Sequence, residues 1–213
     1  MLRRLWNRWM GPGAVKPSTS LAEIREAFER AAADEEHFPS TIDPRILHVR
    51  VVVEEMKGRE RVLDLGCGKG RFARLLRAAS PETTVVAADL ALAMLQSAPP
   101  SLARCAAAML SLPFRNGAFS GAYATESLEH AVDVDRALAE LARVVAPGGR
   151  IVIIDKNAEH WGRLETPPWE RWFRAEDLAG RLRRHCRQVS VAPISYWEDV
   201  APDGLFLCWK ATR

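Results

Sequence analysis

The sequence lacks most of the features that mark secreted, membrane-spanning or metal-binding proteins. Its 213 residues contain four cysteines, which are widely spaced and form no metal-binding pattern: Cys67, Cys105, Cys186 and Cys208. The N-terminus lacks the apolar stretch of a signal peptide, and no segment is long enough to span a bilayer. No internal repeat or low-complexity tract occurs. We therefore expect a reduced, cytoplasmic protein without a bound metal.

An excess of charge of one sign is also missing. The formal net charge is +3, which is too small to indicate nucleic-acid binding by itself. The arginines at 181, 183, 184 and 187 fall on a predicted helix, where a solvated face explains them. No broad basic tract with interleaved aromatics and no base-flipping motif is present. A nucleic-acid partner is therefore not expected.

One short segment departs from this ordinary composition. Within residues 1–10, one helical face carries Leu2, Leu5, Trp6 and Trp9, and the three arginines lie largely elsewhere. Such a segment could contact an anionic membrane surface, which would make the protein peripheral at a membrane. Docking on the protein's own surface and fraying are the alternatives, because Gly11 and Pro12 end the segment at once.

Length and composition fit one α/β domain with additions. Hydrophobic residues make up 48% and charged residues 27% of the chain, as in ordinary globular proteins. We predict that residues 1–57 form an N-terminal segment and helical cap, and that residues 58–213 form the main domain. The sequence leaves the oligomeric state open.

The most informative segment is residues 62–72. An apolar strand, broken only by Asp64, leads into Gly66, Gly68 and Gly70, and helical periodicity starts at Phe72. Glycine allows a ligand to approach the backbone closely and tolerates positive φ. A second apolar run, 85–88, ends at Asp89, an acid placed where nucleotide-binding folds grip ribose hydroxyls. The pattern therefore predicts a nucleoside-containing ligand.

The remaining elements predict an open sheet. Strands are expected at 61–65, 85–89, 104–108, 118–125 and 150–155, with helices between them. Helices are also expected from Ser20, from Asp43-Pro44 to Gly58, and over 134–145 and 176–185, and two C-terminal strands at 188–194 and 205–210. The alternation favours parallel strands, and the short C-terminal connection favours antiparallel pairing. The fold class is α/β: a Rossmann-like, seven-stranded, mostly parallel sheet with an antiparallel C-terminal edge hairpin, helices on both faces and an N-terminal helical cap.

The motif spacing Asp-x-Gly-x-Gly-x-Gly at Asp64–Gly70 resembles the first motif of class I methyltransferases that use S-adenosylmethionine. Three later segments resemble the same family: 111–119 with Leu-Pro-Phe, 126–130 (Glu-Ser-Leu-Glu-His), and 137–149 ending in Pro-Gly-Gly. The resemblance covers roughly residues 60–155 and implies S-adenosyl-L-methionine as the cofactor.

This resemblance also implies roles for individual residues in holding the cofactor. The predicted cofactor-binding residues are Asp64, Gly66, Cys67, Gly68, Asp89, Leu90, Met94, Met109, Leu110 and Glu126. Asp89 is expected to accept both ribose hydroxyls, and Leu90, Met94, Met109 and Leu110 to flank the adenine. One departure is Ala108, which stands where the family often has an aspartate against the adenine amino group.

For the reaction itself, His130 is the predicted base, because it follows the fourth strand and its side chain ordinarily titrates near neutrality. Local organisation of the loop is the alternative role, and Glu129 is expected to be solvated. The loop after the fifth strand is expected to bind the acceptor through Lys156, Asn157, His160, Trp161 and Arg163. A packed lid that buries its tryptophans is the alternative.

The sequence thus predicts an S-adenosylmethionine-dependent methyltransferase acting on a small molecule. Oxygen of a sugar-containing or lipid-linked intermediate is the preferred acceptor, on the basis of His130. A dehydrogenase fits less well, given the glycine spacing and the edge hairpin. A non-catalytic, cofactor-binding partner subunit of the same fold is the alternative from another class of function.

Overall fold

Alternating strands and helices make up the chain from residue 61 onward, as the sequence predicts. The computed structural model describes residues 19–197 and 199–213. The predicted membrane contact of residues 1–10 lies outside these residues. Within the described residues, no helix is long and apolar enough to cross a membrane.

Seven strands of the described chain form one sheet, in the order β3-β2-β1-β4-β5-β7-β6. They are β1 (Arg61–Leu65), β2 (Thr84–Asp89), β3 (Ala103–Ala106), β4 (Phe119–Thr125), β5 (Val145–Lys156), β6 (Arg187–Ile194) and β7 (Phe206–Thr212). Strands β1 to β5 pair in parallel, and β7 lies antiparallel between β5 and β6. The predicted fold class is confirmed.

Helices cover both faces of this sheet. Those described are α1 (Leu21–Ala31), α2 (Leu47–Met56), α3 (Arg71–Ala79), α4 (Leu92–Ser97), α5 (Val134–Val144) and α6 (Ala175–Leu182). One buried cluster joins α5 and α6 to the sheet, and a second joins α2, α3 and α4 to its other face. Neighbouring strand residues divide between the two clusters: Leu63 packs in the first and Val62 in the second. This division follows from the alternation of side chains along a strand.

The first helix begins where the sequence predicts. The Ser20 hydroxyl accepts a hydrogen bond from the Glu23 backbone N–H at 3.2 Å, and the Glu23 carboxylate accepts one from the Ser20 N–H at 2.6 Å. This reciprocal capping box satisfies two N–H groups that the helix itself leaves unpaired. The helix ends at Ala31 and packs against α4 at the carboxyl edge of the sheet.

The start of α2 corrects the sequence prediction. Asp43, the predicted cap, instead accepts hydrogen bonds from the backbone N–H and the guanidinium of Arg45. The helix begins at Leu47. The reason is tertiary: the Leu47 N–H donates to the Tyr196 carbonyl, which holds Ile46 in extended backbone. The β-branched run 51–53 is nevertheless helical, because burial of one face overrides its weak helix propensity. The predicted division of the chain at residue 57 stays a prediction.

Strand β5 starts earlier than predicted, at Val145 instead of residue 150. Its first residue pairs with Phe119, and the register then shifts before Gly121 pairs with Arg150. This irregularity accommodates the Pro-Gly-Gly turn inside the strand, with Gly148 at φ +78°. The carboxyl end of β5 therefore keeps its predicted position beside the ends of β1 and β4.

Candidate active site

A cavity of about 420 Å³ lies at the carboxyl ends of β1, β2, β4 and β5. Open α/β sheets place their ligand sites at this edge, because the loops there converge where the strand order reverses. Its volume falls in the range of small-molecule sites. The glycine turn after β1 forms one side, and α1 with the loop after β5 forms the roof.

The glycine turn is tied to the neighbouring strand. The N–H groups of Gly66 and Cys67 both donate to the Ala88 carbonyl, at 2.8 and 3.0 Å. Gly66 has φ +74°, and a Cβ added there would lie 2.4 Å from the Cβ of Ser127. Gly68 has φ +53°, and no described atom lies within 4 Å of its added Cβ. Gly66 thus permits close packing of the chain, whereas Gly68 leaves room for a ligand.

Asp89 ends β2 at the rim of the same cavity. Its two carboxylate oxygens accept the N–H groups of Gly68 at 2.8 Å and Ala91 at 2.9 Å. A carboxylate has about four acceptor sites, so two backbone donors leave capacity for two hydroxyl groups. Burial raises the pKa of Asp89, and the backbone hydrogen bonds oppose that rise. The geometry suits the predicted contact with a ribose.

The predicted adenine neighbours come together around this carboxylate. Leu90, Met94, Met109 and Leu110 all line the cavity. Ala107 also lines it, a residue that the sequence did not single out. Ala108 instead pairs with Ser111 in an isolated β-bridge. The predicted adenine neighbours therefore give this part of the cavity an apolar lining.

Asp64 lies behind the turn and does not line the cavity. It is 1% exposed, and its Oδ2 has no hydrogen-bonding partner among the described residues. Burial raises the pKa of Asp64 to about 7. This buried position fits a role in orienting the turn, and the predicted contact of Asp64 with the cofactor stays a prediction.

Glu126 closes the cavity beneath β4 in a strained backbone conformation. Its φ is +51°, in the left-handed region that side chains other than glycine rarely adopt. Its Oε1 lies 3.7 Å from the Arg71 guanidinium and 4.0 Å from the His48 ring. The fixed backbone directs this carboxylate into the side of the cavity next to the glycine turn, where the sequence predicts a cofactor contact.

These residues together fit S-adenosylmethionine. The open space at Gly68, the spare acceptor capacity of Asp89 and the apolar walls match an amino-acid chain, a ribose and an adenine in turn. Glu126 and Arg71 add one charge of each sign beside the turn. A zwitterionic amino-acid group carries the complementary pair of charges.

His130 lies in the cavity wall, but its environment does not suit a base. It ends a short 3₁₀ helix, and its ring packs edge-to-face on Phe28 of α1 at 4.9 Å between centroids. Burial, together with the nearby charge of Lys156, lowers the pKa of His130 to about 3. The ring is therefore neutral at physiological pH. Its predicted catalytic role stays a prediction, and the loop-organising alternative agrees better with this environment.

The predicted acceptor residues do not all come together. Only Lys156 lines the cavity, whereas the loop beyond it turns toward residues 203–205. Asn157 donates to the Gly204 carbonyl at 2.9 Å, and Arg163 pairs with Asp203 at 3.0 Å. His160 packs against Gly204, and Trp161 against Trp172. The packed-lid alternative therefore describes these four residues better than an acceptor site does.

The sequence did not indicate two features of the site: a buried cluster of titratable side chains, and the apolar roof that α1 places over the cavity. Glu129, expected to be solvated, is 1% exposed and bonds Lys156, which also contacts Glu170. The roof uses Ile24 and Phe28 of α1. The pairing of Lys156 with carboxylates 27 and 14 positions away in the chain has no local sequence signal. The roof could have been suspected from the apolar face of α1.

Fold and site together define the architecture of class I methyltransferases. Residues 63–153 match the family of methyltransferase domains. This match and the geometry of the site support a class I S-adenosylmethionine-dependent methyltransferase, and the cofactor is S-adenosylmethionine.

Two relatives illustrate this similarity. The chloroplastic tocopherol O-methyltransferase of Arabidopsis thaliana is 29% identical over 93% of this chain and 62% of that protein. The demethylmenaquinone methyltransferase of Thermus thermophilus is 39% identical over 46% of this chain and 48% of that protein. The chain thus spans roughly half to three fifths of the length of these relatives.

Solved structures support the fold but not a particular reaction. The [4+2]-cyclase SpnF superposes with a TM-score of 0.76 at 18% identity, over 95% of this chain and 98% of that one. Its name is that of a cyclase, so the shared architecture alone does not determine the chemistry. The reaction has to be argued from the site.

Proposed function

We propose that the protein transfers a methyl group from S-adenosylmethionine to the oxygen of a small, largely apolar acceptor. The observation that carries this proposal is the lining of the cavity. From the glycine turn it continues beneath a roof of apolar side chains: Leu21, Ile24, Phe28, Phe38, Leu164 and Pro167. At the floor of this part stand Glu129, Lys156 and Glu170. An apolar chamber with one polar end suits an acceptor with one hydroxyl group.

The residues on the cofactor side have a positioning role. Asp89, Gly68 and the apolar walls would hold the nucleoside, and Glu126 with Arg71 the amino-acid end. When bound, S-adenosylmethionine supplies an electron-poor methyl group on sulfur. The roof excludes water from the acceptor oxygen, and correct alignment of the two reactants supplies much of the rate enhancement.

Of the two acceptor types predicted from the sequence, the lining favours the lipid-linked one. A sugar needs several polar partners, and three of the predicted acceptor residues, Asn157, His160 and Arg163, lie outside the cavity. The roof offers apolar and aromatic contacts instead. The names of the tocopherol and demethylmenaquinone relatives support an acceptor of this kind.

Calorimetry and a turnover assay test the proposal. We expect S-adenosylmethionine and S-adenosylhomocysteine to bind and NAD not to bind. With S-adenosylmethionine, alkyl-substituted phenols should be methylated faster than free or phosphorylated sugars of similar size. Faster methylation of the sugars would contradict the assignment of the acceptor. Tight binding of S-adenosylhomocysteine without turnover of any acceptor would favour the non-catalytic partner subunit.

A further inference from the structure

A buried ionic cluster lies at the polar end of the cavity. The Lys156 ammonium is 2.5 Å from Oε1 of Glu129 and 3.2 Å from Oε1 of Glu170. Glu129, Glu170 and the neighbouring Asp155 are 1%, 3% and 0% exposed. These side chains come from three segments: the 3₁₀ helix after β4, the end of β5, and the loop before α6.

The charges in this cluster do not balance when all its groups are ionised. Three buried carboxyl groups face a single ammonium, since burial keeps His130 neutral. Glu126 also faces the cluster and adds negative potential. Isolated charge in a water-poor interior is costly, so the carboxyl groups retain protons to higher pH than usual. Burial raises the pKa of Glu129, and the charge of Lys156 opposes that rise.

The three carboxyl groups differ in their free acceptor sites. Glu170 accepts the Trp172 indole N–H at 2.8 Å and also faces Lys156. Asp155 does not line the cavity. Glu129 lines it, and its Oε2 is buried without a hydrogen-bonding partner anywhere in the described chain. A buried acceptor left unpaired is unfavourable, so a ligand hydroxyl that reached Glu129 would relieve that cost.

Lys156 has donor capacity left over. An ammonium has three N–H groups, and the two carboxylates account for two of them. Lys156 also lines the cavity. A negative charge that developed on an acceptor oxygen at Glu129 would therefore arise beside a positive charge held in a fixed position.

We propose that Glu129 is the base of the reaction and that Lys156 stabilises the oxygen anion, so that the acceptor is a weakly acidic hydroxyl of phenol type. This inference rests on the proposed function. The hydroxyl proton passes to Glu129 as the O–H bond breaks, and an electron pair of the oxygen forms the bond to the methyl carbon. The electrons of the broken carbon–sulfur bond remain on the sulfur of S-adenosylhomocysteine. The proton leaves Glu129 to solvent when the product departs.

Glu129→Gln tests the role of this base, because it keeps the shape of the side chain but removes its proton affinity. The variant is assayed with two alkylphenols of similar size. One is an ordinary phenol, and the other carries electron-withdrawing groups that ionise it below neutral pH. We expect kcat to fall about 100-fold or more for the ordinary phenol. The acidic phenol needs no base, so its kcat should fall far less.

Glu159→Gln, on the exposed loop outside the cavity, is the matched control and should change kcat for neither phenol.

The pH profile of the native protein gives a second measurement that needs no variant. With the ordinary phenol, kcat should rise with pH as Glu129 loses its proton, and this rise should be absent with the ionised phenol. Glu129→Asp, which keeps the carboxylate, should retain more activity than Glu129→Gln.

Three outcomes would overturn the proposal. If Glu129→Gln lowers kcat equally for both phenols, Glu129 has a structural role. If kcat for the ordinary phenol falls in His130→Gln but not in Glu129→Gln, His130 is the base. If the native protein binds S-adenosylhomocysteine but methylates neither phenol, the proposed function fails, and this inference fails with it.

Discussion

At the scale of single residues, two glycines of the glycine turn have different roles: one allows close packing of the chain, and the other leaves space for the ligand. Gly66 and Gly68 share a positive φ and differ in their surroundings. Ser127 crowds Gly66, because its hydroxyl donates to the Leu65 carbonyl at 2.7 Å and holds the loop after β4 against the turn. Gly68 faces open space in the cavity. The two glycines should therefore fail in different ways when a methyl group is added.

We predict that Gly66→Ala destabilises the fold, whereas Gly68→Ala mainly weakens cofactor binding. Left-handed backbone costs alanine about 1–2 kcal/mol in either variant. Gly66→Ala adds a clash with Ser127 at 2.4 Å, so its loss of unfolding free energy should be the larger. Gly68→Ala should bind S-adenosylhomocysteine at least about tenfold more weakly, because the methyl group projects into the ligand space.

Gly58→Ala serves as the control for these two variants. Gly58 has φ +75°, no described neighbour within 4 Å of an added Cβ, and no place in the cavity. It should show the backbone cost alone in thermal unfolding and unchanged affinity in calorimetry. Equal affinities of Gly68→Ala and Gly58→Ala would contradict the placement of the ligand against Gly68.

Site residues could be predicted from the sequence where they belong to a short local motif. They could not be predicted where the site depends on distant segments that meet in the buried interior. The turn, Asp89 and the adenine neighbours belong to short segments with their own signals, and the structure brings them to one cavity. The cluster of Glu129, Lys156 and Glu170 depends on three separate segments meeting under the roof. Its charge state is a property of that burial, so sequence spacing does not reveal it.

At the scale of elements, α1 is attached to the cofactor-binding edge by specific polar contacts. The Glu29 carboxylate accepts the N–H groups of Leu92 and Ala93, both at 2.8 Å, and so caps the start of α4. Lys69, inside the glycine turn, donates to the Asp34 carbonyl at 3.2 Å and pairs with Glu35. These contacts hold the roof over the cavity and couple its position to the glycine turn.

Removing the Glu29 contact should loosen the roof. Glu29→Ala leaves two N–H groups at the start of α4 without their acceptor, which costs about 1 kcal/mol. We expect faster hydrogen exchange in residues 21–31 and partial restoration of protection by S-adenosylhomocysteine. Glu26→Ala removes an exposed pair with Arg30 on the same helix and should exchange like the native protein. Equal exchange in the two variants would mean that α1 is held by its apolar face alone.

Element boundaries could be predicted where the local signal also satisfies the tertiary structure. The capping box starts α1 at the expected residue, and β1 spans the expected residues. The start of α2 was wrong because its first N–H is bound by Tyr196, about 150 residues further along the chain. The strand–helix alternation, by contrast, predicts the parallel pairing of β1 to β5, since parallel strands need crossover connections, but the order of the strands is set by tertiary packing.

At the scale of the whole molecule, buried titratable groups make stability depend on pH in two opposing ways. Burial lowers the pKa of His48 to about 4. Between about pH 6.5 and pH 4, this side chain is therefore protonated in the unfolded chain but neutral in the native state. Stability from this group is lost as pH falls. Burial raises the pKa of Asp64 to about 7, so between 3.8 and about 7 the native state holds the extra proton. Stability from that group is lost as pH rises.

His48→Phe should separate the two effects. His48 is 0% exposed between the rings of Tyr196 and Phe206, at 5.0 and 4.9 Å, so a phenyl ring fits the same aromatic setting. Because the variant lacks the histidine contribution, its melting temperature should rise relative to the native protein as pH falls from 7 to 4.5. Each pH unit in that range is worth up to about 1.4 kcal/mol, or roughly 3–6 °C for a domain of this size. Thermal unfolding followed by circular dichroism at half-unit pH steps measures the difference, with exposed His185→Phe as the control. A constant difference between His48→Phe and the native protein over that range would show that His48 takes up its proton equally in both states, contrary to its burial in the aromatic cluster.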